Sequence, residues 1–174
     1  MTTKNPTVAS FCWENDACEP GWQWASRTGC KTMAQLWARA DMLPAWRIWI
    51  ATRDHVCNDV DMRLFACWCA TGIPHASLDG RKKVAAAIRF ALGLMTAAQL
   101  REIRTADRTR GVACDFSDAA GAYRACAYQL ANQAASYAAY YAACATPASR
   151  RKAHSKAQAK QLMLLVGNPF KETK

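Results

Sequence analysis

His55, Cys57, Cys67, Cys69 and His75 are the side chains of this sequence whose types and nearness could hold a metal ion, because thiolates and imidazoles are the usual ligands of zinc. The spacing argues against it. The chain has no Cys-x-x-Cys pair, and on a helix Cys67 and Cys69 stand about 200° apart around the axis, too far round to grip one ion. A thiol nucleophile is the other chemistry to consider, with His55 as base and Asp54 or Asp59 to orient it. Nothing in the spacing selects that trio. Three histidines in the whole chain give little general acid-base capacity near neutral pH. The glycine-rich phosphate loop, the Gly-x-Ser-x-Gly elbow and the His-Glu-x-x-His helix are all missing from the sequence. The reading therefore expects a protein that is not an enzyme and needs neither metal nor cofactor.

Charge is the more informative signal. The chain has 174 residues and a net charge of +10, and the excess is unevenly spread. Residues 147–174 hold seven basic groups and one acidic group, whereas 116–146 hold one of each. Arg150, Arg151, Lys152, Lys156 and Lys160 make the C-terminal piece a candidate surface for an acidic protein or for phosphates. A solvated helix face is the plainer alternative. Arg101, Arg104, Arg108 and Arg110 form a second cluster, at or just beyond the end of a predicted helix, where cations are favoured by the helix dipole alone. Both clusters are expected to bind a partner, with nucleic acid as the rival ligand. The signatures of zinc fingers and RNA-recognition domains are absent.

Nine cysteines would suggest disulfides in a secreted chain, but the number is odd and Met1-Thr2-Thr3-Lys4-Asn5-Pro6 lacks the apolar core of a signal peptide. A cytoplasmic location, with reduced and mostly buried thiols, is expected. The longest apolar run, from Val84 to Met95, is interrupted by Arg89 and too short to cross a bilayer, so no membrane partner is expected.

The elements that must position these residues read as helices throughout, for no stretch sustains the period-two alternation of a half-buried strand. Pro20 opens a helix to about Arg27, closed by Gly29; Thr32 caps a short one through Ala40; Pro44 opens another ending near Thr52. Trp13, Trp22, Trp24, Trp37, Trp46 and Trp49 lie in or beside these pieces. They are read as sealing a small aromatic subcore, with ligand binding as the alternative. Asn58 caps a helix ended by Gly72. Asp79 begins the next, with Val84, Ala87, Ile88, Ala91 and Leu92 facing inward and Arg81, Lys82, Lys83 and Arg89 largely on other faces. Thr96 caps a further helix through Leu100 and Ile103.

Between Ser117 and Thr146 thirteen residues are alanine, and every tyrosine of the chain lies there. Alanine has the highest helix propensity, so one long helix is expected, with Tyr123, Leu130, Tyr137, Tyr141 and Cys144 as its core stripe. Pro147 breaks the run. A last helix, about Ala148 to Val166, carries its basic residues early and its leucines late. Together these features predict an all-α protein: one domain over 1–174, made of a Trp-rich short-helix N-terminal subdomain (1–57) and a multi-helix bundle (58–174) with a long Ala/Tyr-rich helix and a basic C-terminal helix.

Two segments, Met62-Arg63-Leu64-Phe65-Ala66-Cys67-Trp68-Cys69-Ala70 with Asp79-Gly80-Arg81, and Gln161-Leu162-Met163-Leu164-Leu165-Val166-Gly167-Asn168-Pro169-Phe170, look familiar. With the alanine-rich stretch between them, they resemble a group of alanine-rich helical proteins of bacteria and phages, some of which are described as immunity proteins of toxin systems. The resemblance covers residues 58–170. The piece from Ala17-Cys18 through Trp22, Trp24, Cys30-Lys31-Thr32 and Pro44 to Thr52 resembles an N-terminal extension of phage-borne members. What the resemblance implies is a small non-enzymatic binder from a conflict system, whose partner is a protein effector: a toxin or a nucleoprotein defence complex. Immunity proteins that block nucleases are often acidic, whereas this chain is basic. That inversion points to an acidic target surface, or to a nucleoprotein whose nucleic acid the basic helices also touch. A phage-encoded inhibitor of a bacterial defence effector such as a CRISPR nuclease fits as well as a toxin antidote.

Overall fold

The computed structural model describes residues 5–72, 78–109, 122, 125 and 130–171, the side chains of 78, 79, 104 and 106–109 aside. Among these residues the chain is all-α. The helices are α1 (Val8–Glu14), α2 (Glu19–Arg27), α3 (Met33–Trp37), α4 (Pro44–Ala51), α5 (Asp59–Thr71), α6 (Leu78–Ala91), α7 (Ala97–Thr109), α8 (Ala131–Ala145) and α9 (Arg151–Val166), with a 3-10 turn at Ala148–Arg150. His75, Arg110, Tyr123 and Tyr128 lie outside the described residues.

Local sequence sets most helix starts. Thr32 and Gln35 form a reciprocal capping box on α3, and Asn58 accepts from the Asp61 amide at 2.8 Å to start α5. Thr96 and Gln99 do the same for α7, with Thr96 N donating to Gln99 Oε1 at 2.9 Å. Gly29, Gly93 and Gly167 follow helices with positive φ, which costs an unbranched backbone nothing.

Two expectations fail here. Helix α3 stops at Trp37 and does not reach Ala40, because the buried Arg47 captures the chain beyond it: Nη1 donates to Trp37 O at 2.7 Å and Nη2 to Arg39 O at 2.8 Å, and the guanidinium lies 5.0 Å from the Trp37 ring centre. An arginine fork thus supplies donors to carbonyls that a longer helix would have used. Lys83, expected largely on a face other than the apolar one, is buried at 6% exposure. Its position next to Val84 puts it at the edge of the apolar face, where a lysine stem packs readily.

The alanine-rich stretch departs further. Ala122 and Ala125 are helical and buried, but α8 begins only at Ala131, after Leu130, whose ψ of 124° is extended and which is 56% exposed. Asn132 marks the start, its Oδ1 accepting from the Gln133 amide at 2.8 Å and its Nδ2 donating to Asp54 at 2.5 Å. An asparagine bonded in this way satisfies a first-turn donor and fixes a helix end. The buried face of α8 is alanine, not tyrosine: Ala131, Ala134, Ala135, Ala138, Ala139 and Ala142 are covered, while Tyr137 is exposed and Tyr141 and Cys144 are half-buried. Small side chains let α8 lie close against α5, its main neighbour, and the bulky phenols are left to the flanks.

Helix α9 folds back along α8 and also packs on α4 and α5. The N-terminal helices share their core with the far end of the chain. Phe170 meets Phe11 edge-on at 5.8 Å and Trp37 at 6.2 Å, Trp37 Nε1 donates to Gly167 O at 2.8 Å, and Asn168 Nδ2 donates to Ala34 O at 3.1 Å. Of the tryptophans read as subcore, Trp37 is buried and Trp24, Trp46 and Trp49 are half-buried, but Trp13 and Trp22 are exposed.

Candidate partner-binding surface

Helix α9 presents the basic residues because of what its other side must do. Gln158, Ala159 and Leu162 are buried, with Gln158 Nε2 donating to Ala139 O at 3.0 Å and lying 3.7 Å from Cys69 Sγ. At about 100° per residue, Lys156 and Lys160 stand about 200° from Gln158, on the opposite side. Lys152, Lys156 and Lys160 are all exposed, and their four-residue spacing makes one stripe that turns by about 40° at each step. Exposed Leu164, 71% accessible, continues it one turn further, with Met163 beside it. No described acidic group lies within ion-pair distance of these lysines. Among the described residues the stripe is therefore an uncompensated positive surface with an apolar end.

The remaining predicted residues divide. Arg150 is exposed in the 3-10 turn that leads into α9. Arg151 is exposed but already employed, its Nε donating to Thr146 O at 3.1 Å at the end of α8. Arg101 is exposed on α7; Arg104 and Arg108 belong to that helix, but their side chains, like all of Arg110, lie outside the described residues. Helix α7 rides on α6, whereas α9 is carried by α4, α5 and α8, so the two basic clusters rest on different supports. The structure gathers Lys152, Lys156 and Lys160 on one helix, and Arg101, the described arginine side chain of α7, rests on a different support.

His154, which sequence reasoning passed over, faces inward one turn before Gln158. Its Nε2 is buried without a hydrogen-bond partner, and burial lowers its affinity for a proton. It adds no charge to the stripe. The spacing His154, Gln158, Leu162 was the available signal, since residues four apart share a face.

Several thiols are poorly placed to react. Burial raises Cys12, with Cys18 nearby adding to the effect, and pushes Cys69 up despite the Gln158 contact. Cys57 is pushed up to about 12 by burial and then by the charge of Asp61. A nucleophilic cysteine needs the reverse, a thiolate favoured by positive surroundings. Among the described residues no three of His, Cys, Asp or Glu come together as a metal site, and no helix is long and apolar enough to cross a membrane.

Comparison with protein-family models, with curated proteins and with solved structures finds no match.

Proposed function

We propose that this chain is a non-enzymatic binding protein that neutralises a macromolecular effector by covering part of its surface, in the manner of a toxin-immunity protein or of a phage-encoded inhibitor of a bacterial defence effector such as a CRISPR nuclease. The observation that carries the reading is the exposed stripe of Lys152, Lys156 and Lys160 on a helix anchored from behind by Gln158. A rigid row of like charges lowers the ordering cost of binding and steers an acidic partner toward one face. Met163 and Leu164 supply apolar area at the end of that row, so contact there adds desolvation to attraction. The resemblance of residues 58–170 to alanine-rich immunity-type proteins of bacteria and phages supports the same class of activity.

The rival is a nucleic-acid-binding protein, since a lysine row also suits phosphates. Salt separates the two. Titration of duplex and single-stranded DNA at about 50 mM and about 200 mM salt is expected to give only weak association that disappears at the higher concentration, because it rests on counterion release alone. Submicromolar affinity for bare nucleic acid surviving about 200 mM salt would replace the effector-binding reading with the rival.

A further inference from the structure

We infer that the N-terminal helices hold a binding site for a small organic cation with an aromatic body, its ring seated among Trp24, Trp46 and Trp49 and its charge met by Asp16. This goes beyond the proposed function and does not depend on it.

A cavity of about 290 Å³ opens among α1, α2, α3 and α4. That is the lower end of the range for small-ligand sites, enough for one ring-sized body. Its wall is aromatic and aliphatic, and Asp16 is the one charged side chain in its described lining. A wider cleft of about 520 Å³ shares Cys12, Asp16 and Ala17 with it and adds Trp13, Trp22 and Glu19. Asp16 therefore borders both spaces.

Three observations give the site its sign and its ligand. First, Asp16 sits in the left-handed region, φ 51°, a conformation that a non-glycine residue adopts only under constraint. The turn is held by Ala17 N donating to Cys12 O at 2.9 Å, and it places Asp16 at the shared wall. Second, the Asp16 carboxylate forms no ion pair with any described residue, in a chain whose net charge is +10. Third, Trp13 is 87% exposed at the outer cleft, and Trp22 lines the same cleft. A cleft lined by indole rings and a carboxylate attracts an organic cation through the ring quadrupole and the opposite charge together, and it repels an anion. An inner aromatic cavity adds a place for the apolar body of the same molecule.

The test uses the full chain and 2-phenylethylammonium, with 2-phenylethanol as its neutral analogue and 3-phenylpropionate as the anion, followed by tryptophan fluorescence and by the indole N–H signals in NMR. Expected is a saturable response to the cation, a response about tenfold weaker to the alcohol and none to the carboxylate. Asp16→Asn keeps the shape and tolerates the left-handed backbone. It should weaken the cation about tenfold, leave the alcohol unchanged, and preserve the circular dichroism spectrum. Ala17→Phe should block both ligands by filling the shared wall. No saturable response to the cation, equal affinity for cation and alcohol, or unaltered cation binding by the Asp16→Asn protein would each overturn the inference.

Discussion

The Gln158 side-chain amide donates to the carbonyl oxygen of Ala139 at 3.0 Å, across the hairpin of α8 and α9. The bond accompanies a rotation of α9 that turns Gln158, Ala159 and Leu162 inward and the lysines outward, with packing on α4, α5 and α8 holding it as well. Since Ala139 lies inside α8, its carbonyl also has a place in the helix ladder, so losing Gln158 does not strand it. Gln158→Leu is expected to lower stability by about 1 kcal/mol, the net worth of one buried hydrogen bond, as read from the urea midpoint. A loss above about 3 kcal/mol would mean that the helix itself moves.

The close approach of α8 to α5 depends on side chains no larger than a methyl group. Ala138 is fully buried on that face, so Ala138→Leu must push the helices apart or force strained rotamers. Stability should fall by about 2 kcal/mol, measured by chemical denaturation. Ala153→Leu, on the exposed part of α9, should change it by less than about 0.5 kcal/mol. Equal effects at the two positions would contradict the alanine face.

His154 makes stability depend on pH. Burial lowers its proton affinity below the ordinary histidine value, and its Nε2 has no partner to offset that. The unfolded chain then binds the proton more readily, so this contribution is fully present above about pH 6.5 and is lost as pH falls toward the depressed value of the folded state. His154→Gln should therefore show a smaller drop in urea midpoint than the parent chain between about pH 7.5 and about pH 5. Identical drops would show that the imidazole is not desolvated.

Helix boundaries set by neighbouring residues were legible in the sequence: the starts at Thr32, Pro44, Asn58 and Thr96 and the stops at Gly29, Gly93 and Gly167 all read correctly because caps and positive-φ glycines are local, whereas the reciprocal bonds of Gln35 and Gln99 came only with the structure. The core face of the alanine stretch was not. Alanine occurs on every side of that segment, so its periodicity has little contrast, and the large tyrosines suggested a stripe of which Tyr141 packs against the core while Leu130 and Tyr137 stay exposed. Arg47 was hidden for another reason: its partners are the carbonyls of Trp37 and Arg39, and backbone acceptors leave no mark in side-chain patterns. At the candidate surface, four-residue spacing made Lys152, Lys156 and Lys160 readable, whereas the bond from Arg151 to Thr146 could be found only in three dimensions.

The most direct test of the effector-binding account is charge reversal of Lys152, Lys156 and Lys160 together, leaving Arg151 in place. The macromolecule retained from bacterial lysate by the immobilised parent chain is identified, purified and titrated against both proteins by calorimetry. With about 1 kcal/mol lost per contacting lysine, the triple glutamate variant should bind about 100-fold more weakly while its circular dichroism melting curve stays the same. An unchanged dissociation constant for the variant would contradict the account.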